Sequence, residues 1–173
     1  MSKIKKILGF TATVVTALCF IYALAVLATQ QAETAPKTTA TTLQKAEPHI
    51  FTVDELLAEA NRLRAEKGVK PLTIDPRLNE SAQWKAQDMA DYDYFGHVRD
   101  GYHGWQKVNE LAPECVAGEN IEKEAQPFSS PFDWWVTSKP HYEAILDVKY
   151  DTTGFGVVKN GDEILYVQHF CDL

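Results

Sequence analysis

Apolar positions along the chain change their spacing repeatedly, and each change predicts a different element. An uncharged run from Ile7 to Ala28 follows Lys3, Lys5 and Lys6. At about 1.5 Å of helical rise per residue, its 22 residues reach roughly 33 Å, enough to cross a bilayer core. Residues 29–49 then place Thr34, Thr38, Thr39, Thr41 and Thr42 among Ala, Gln, Pro and Lys. So few large apolar groups cannot offset the entropy of ordering, and the segment predicts a flexible linker. Helical spacing begins at Thr52, which forms a capping box with Glu55 ahead of Leu56, Leu57, Ala60 and Leu63. Gly68 predicts the end of that helix. Pro71–Asp75 reads as a short extended link. Asp75 then caps a second helix with Pro76 at its first position, running through Leu78, Ala82 and Met89 to about Tyr92.

Between Tyr92 and Trp105 the periodicity is lost among aromatics and Gly96, Gly101 and Gly104, as suits a loop whose backbone passes close to other groups. A third helix is predicted from Gly104 to Leu111. Another short one is predicted over Pro127–Ser138, where Trp134 and Trp135 bring large apolar area to the core and a cleft wall. Pro140 disfavours helix at Lys139, so the next is predicted to start at His141 and run to Leu146. The chain closes on strands over Thr153–Lys159 and Glu163–Phe170, with Asn160-Gly161 as a tight turn. Helices at the front and a hairpin at the back predict an α+β domain over residues 50–173, long enough for one sizeable core.

Charge changes the picture in two ways. The chain carries 17 basic and 24 acidic residues, a net −7, and without the three leading lysines the remainder stands at −10. Phosphate contacts need clustered Lys and Arg, so a nucleic-acid partner is excluded. The lysines in residues 1–6 also orient the apolar run over 7–28, keeping themselves inside and sending the rest out of the cell. The run is expected either to stay as a single-pass membrane anchor or to be cleaved after Val26-Leu27-Ala28, releasing a secreted domain.

Taken in order, Gly96-His97, Gly118-Glu119-Asn120-Ile121, Trp135 with Ser138 and His141, Gly154-Phe155-Gly156 and Gln168-His169-Phe170 resemble the CAP superfamily. This is the family of cysteine-rich secretory proteins, antigen 5 and pathogenesis-related proteins, also called the SCP domain. The match runs from about Val53 to Phe170, and Ser138 followed by an Ile145-Leu146 helix resembles the bacterial extracellular branch. The resemblance implies a three-layer α-β-α sandwich with a small antiparallel sheet. It also implies a cleft of two histidines and two acidic residues that binds a divalent metal in some members. His97, Glu119 and His141 match three of those positions. The fourth falls on Ser138, and a hydroxyl is a much weaker zinc ligand than a carboxylate. Glu143 lies two residues past His141 and is not assumed to replace it.

These residues leave three functions open. The first is an interaction module that binds a lipid, peptide, cell-wall fragment or protein partner in a cleft lined by His97, Glu119, Ser138 and His141. The second is a metal-assisted hydrolase, acting on peptide or cell wall, in which His97 and His141, with Glu119 as a further ligand or as general base, work through Zn2+ or another divalent cation. The third is a structural or adhesive surface domain. No nucleophile-elbow pattern is present. Cys115 and Cys171, the cysteines of the exported part, are expected to pair, the alternative being two unpaired thiols.

Overall fold

Reciprocal bonds between Thr52 and Glu55 open helix α1 (Val53–Glu66): Oγ1 of Thr52 accepts from the Glu55 amide at 3.3 Å, and Oε2 of Glu55 accepts from the Thr52 amide at 2.8 Å. The capping box read in the sequence therefore forms. Asp75 starts helix α2 (Pro76–Asp91) by accepting from the Arg77 amide at 2.8 Å. The computed structural model describes residues 49–124 and 130–172. The apolar run 7–28, the linker up to residue 48 and the start of the helix predicted over Pro127–Ser138 lie outside the described residues. Among those described, no helix is long and apolar enough to cross a membrane.

Four strands form the main sheet in the order β1-β5-β6-β4: β1 (Thr73–Ile74), β5 (Thr152–Asn160), β6 (Glu163–Asp172) and β4 (Val116–Glu124). Strands β4, β5 and β6 pair antiparallel, but β1 lies parallel to β5, so the sheet is mixed and not purely antiparallel. The predicted extended link supplies β1, with the Asp75 amide donating to Thr153 O at 3.0 Å. Strand β4 is not predicted by the pattern of Gly, Glu and Asn in it. Pairing with β6 along its whole length overrides that weak propensity. A separate hairpin joins β2 (Val98–Arg99) to β3 (Tyr102–His103). The predicted Asn160-Gly161 turn is shifted by one residue. Asn160 pairs with Glu163 and the loop is Gly161-Asp162, with Gly161 at φ +63°, the first-position glycine of a II′ hairpin.

Alternation along β6 builds the core. Ile164, Tyr166 and Phe170 pack with Leu56, Ala60 and Leu63 of α1, Phe132 and Trp135 of α4 (Pro131–Trp135) and Ile145 of α5 (Lys139–Leu146). Leu165 and Val167 face the other way, onto Ala82, Ala86 and Met89 of α2. Cys171 joins Leu78 and Val108, the latter from α3 (Gly104–Leu111). Helices therefore cover both faces of the sheet. Helix α2 sits directly on β5, because a Cβ on Gly154 or Gly156 would come within 2.2 Å of α2 backbone. Trp135 is fully buried and donates to Ile121 O at 3.1 Å, whereas Trp134 is 58% exposed.

Two further ties hold the layers. A disulfide joins Cys115, just before β4, to Cys171 in β6, 56 residues on. Arg64 is buried and donates to four carbonyls, those of Lys70 (2.6 Å), Ile145 (2.8 Å), Asp147 (3.0 Å) and Tyr150 (2.8 Å), latching α1 to the turn between α5 and β5.

Candidate functional site

Strand β4 is the shelf on which the site is built. Its register places Glu119 opposite His169 of β6 and leaves Asn120 free to donate from Nδ2 to the His141 carbonyl at 3.1 Å. That bond brings the start of α5 to the strand. Helix α5 begins at Lys139, not at His141 as predicted, with Ser138 as its N-cap. Pro140 costs nothing there, since first-turn amides have no acceptor within the helix. His141 therefore stands in the first turn, and its Nδ1 lies 2.8 Å from Ser138 Oγ.

His97 approaches from the loop after α2. Its Nδ1 is 2.7 Å from Oε1 of Glu119, and its ring centroid is 6.2 Å from that of His141. The four residues singled out in the sequence thus adjoin one another: Ser138 on His141, His141 beside His97, His97 on Glu119. Glu143 does not join them, for it sits exposed near Lys139 at 3.6 Å.

The sequence reading missed what lies behind Glu119. Its second oxygen, Oε2, is 2.9 Å from Nε2 of His169, whose Nδ1 is 2.7 Å from Ser81 Oγ of α2. Both His169 and Ser81 are wholly buried. Gly104 lets its backbone press on the same carboxylate, since a Cβ there would fall 1.7 Å from Oε2. Lys85 is buried beside them and donates to Gly96 O at 2.8 Å and Tyr94 Oη at 2.9 Å, steadying the loop that carries His97. His169 stands in the Gln168-His169-Phe170 motif and is a polar residue inside an apolar strand, but nothing in the sequence names its partner.

Burial alone would raise the pKa of Glu119. The bonds from His169 and His97, with the charge of Lys85, outweigh it and hold the carboxyl down at about 2. Burial, aided by the nearness of His97, pushes His141 below its ordinary value. Glu119 is therefore a carboxylate, 3% exposed with both oxygens engaged, whereas the His97 side chain is 48% exposed. Nδ1 is the engaged nitrogen of both imidazoles, on Glu119 for His97 and on Ser138 for His141. Among the described residues, no group of three or more His, Cys, Asp and Glu side chains is arranged to hold a metal. Arg99 lies 3.7 Å over the Tyr92 ring, and Tyr94 donates to Asp88.

The model of the cysteine-rich secretory protein family, CAP, matches residues 57–170. The chain belongs to the CAP family. It is 32% identical over 140 residues to the uncharacterized protein YkwD of Bacillus subtilis, covering 79% of this chain and 53% of that one. It is 29% identical over 118 residues to the uncharacterized membrane protein YlbC of the same organism, covering 67% and 33%. The chain thus spans about half of the first relative and a third of the second. Among solved structures, an outer surface protein of Borrelia burgdorferi superimposes with a TM-score of 0.63 at 20% identity, over 69% of this chain and 90% of that one. An extracellular SCP-domain protein of Bacillus anthracis does so at 0.63 and 21%, over 70% and 40%. These likenesses carry the CAP fold, α+β with a mixed sheet.

Proposed function

We propose that this CAP domain is a binding module of the outer cell envelope, whose cleft takes a divalent cation such as Zn2+ between His97 and His141 and completes its coordination with a peptide or cell-wall ligand. The observation that carries this reading is the state of Glu119. A general base needs a free oxygen and a pKa near the working pH; Glu119 has neither, being doubly hydrogen-bonded and held at about 2. It fits the outer-shell part instead, accepting from the inner nitrogen of a ligating histidine. Ser138 serves His141 in the same manner. Two imidazoles leave positions open for donors from a ligand. When bound, the ion supplies a Lewis-acidic centre for anionic groups.

The envelope placement rests on Lys3, Lys5 and Lys6 ahead of the apolar run 7–28, and on similar proteins that are described as membrane, outer surface or extracellular. We read the run as a single-pass anchor with residues 50–173 outside. Protease treatment of intact cells should remove the domain, and its full protection would reject this placement.

The cleft is tested by calorimetric titration of Zn2+ into the full chain and into a His97→Ala/His141→Ala variant, followed by incubation with a peptide and cell-wall fragment pool. One site that vanishes in the variant, with ligand retained and not cleaved, is the expected outcome. Unchanged heats in the variant would remove the site, and turnover lost in the variant would replace the module by a hydrolase.

A further inference from the structure

A histidine wholly inside an apolar layer is costly unless both ring nitrogens find partners. His169 shares its face of β6 with Leu165, Val167 and Cys171, and it has no exposure. Both its nitrogens are met, Nδ1 by Ser81 Oγ at 2.7 Å and Nε2 by Glu119 Oε2 at 2.9 Å. Ser81 has one hydrogen to give, and with the ring hydrogen of His169 on Nε2 it goes to the bare Nδ1, although Leu78 O also lies within reach at 3.0 Å. The result is an unbroken file, Ser81–His169–Glu119–His97, from the middle of α2 to the half-exposed His97 ring.

We infer that His169 is a positioning residue: it clamps Glu119 from the core side, so that the carboxylate's other oxygen fixes the ring and tautomer of His97 and turns His97 Nε2 to the ligand. A carboxylate offers only lone pairs, so the nitrogens facing it, Nε2 of His169 and Nδ1 of His97, are the ones that carry hydrogen. In an imidazole the two nitrogens point away from one another. Fixing a proton on Nδ1 of His97 therefore leaves Nε2 bare on the outer, exposed edge. Without His169, Glu119 would have one bond in place of two and room to turn, and His97 would lose its fixed partner. Gly104 allows this clamp by keeping the space beside Oε2 clear. The inference rests on the proposal that His97 Nε2 is the ligand-facing atom.

The test separates the two nitrogens of His169. An asparagine amide nitrogen falls near the place of Nδ1, and a glutamine amide nitrogen near the place of Nε2. His169→Gln thus keeps the bond to Glu119, whereas His169→Asn keeps only the link toward Ser81. The full chain, 15N-labelled and purified in a mild detergent, is read by long-range 1H–15N spectra of its imidazoles and by Zn2+ titration. The wild type should show hydrogen on Nε2 of His169 and on Nδ1 of His97. His169→Gln should keep the His97 tautomer and bind Zn2+ within about threefold of wild type. His169→Asn should mix the His97 tautomers and lose about 10- to 100-fold in affinity, the size of an outer-shell loss. A role in packing alone predicts that the two variants match, and that result overturns the inference. So does a wild-type spectrum with Nε2 of His169 bare, which needs no variant at all. If the wild type binds no Zn2+, the metal reading fails while the tautomer spectra still decide the role of His169.

Discussion

Ser138 Oγ lies 2.8 Å from Nδ1 of His141, one turn further along α5. An N-cap serine ordinarily spends its oxygen on a backbone amide of the first turn. Here it makes no such cap bond and holds an imidazole instead. The helix start thus orients the His141 ring at the expense of its own capping.

Ser138→Ala should consequently leave the fold almost unchanged and loosen His141. The expected loss is about tenfold in Zn2+ affinity by calorimetry, as for other partners behind a metal ligand. Ser138→Glu should tighten binding, because it brings a carboxylate to a site that has only a hydroxyl. Affinities that do not move in either variant would detach Ser138 from the site.

Gly104→Ala tests how closely the backbone presses on Glu119. The added methyl would lie 1.7 Å from Oε2. Glu119 cannot move away without breaking its bond to His97 or to His169. Overpacking of this kind costs roughly 1–3 kcal/mol. Urea unfolding should show that loss together with weaker Zn2+ binding, and an unaltered midpoint would mean the carboxylate has room to spare.

How much of this was legible depended on whether the signal was local. The caps Thr52 and Asp75, with Pro76, fixed α1 and α2, since capping chemistry lies within a few residues. His97, Glu119, Ser138 and His141 were grouped through the resemblance that the short motifs around them carry, and they do adjoin one another. Strand β4 was not legible, for Gly118, Glu119 and Asn120 are poor strand formers that become strand only against β6. The partners of His169 and Arg64 were not legible for the same reason. They lie 50 residues away at Glu119 and 81 to 86 away at Ile145, Asp147 and Tyr150. No pattern within one segment predicts what a polar side chain meets across the fold.

Two carboxyls on neighbouring parts of β4 should give stability a pH optimum. Glu119 is held at about 2 against an ordinary 4.5. Its contribution is thus fully present above pH 4.5 and lost as pH falls toward 2, a span worth about 3 kcal/mol. Glu122 is the reverse case: burial, with the nearby charge of Glu124, raises it to about 7. Its neutral form is favoured by the fold, so its contribution is present below pH 4.5 and lost as pH rises through 7. Melting temperature should climb between pH 2 and 4.5 and decline through neutrality. Glu122→Gln should flatten the upper decline and leave the acid limb in place; a variant that retains the whole decline would assign it to another group.

Arg64 offers the sharpest test of how the layers are joined. Its guanidinium reaches four carbonyls on three parts of the chain, and a flat five-donor group is needed to do so. Arg64→Lys keeps the charge but has only one nitrogen, which cannot span the positions of Lys70 and Tyr150 together. Buried carbonyls then lose their donors, and the loss should be roughly 3 kcal/mol in urea unfolding. Arg64→Met removes the remaining bonds too and should cost at least as much. The effect should also be local. Hydrogen exchange ought to speed up first in residues 147–151, the turn that the guanidinium holds, and only later in α2 and β6. Should the turn keep its protection in Arg64→Met while stability falls evenly, Arg64 would be a packing residue and the latch would lie elsewhere.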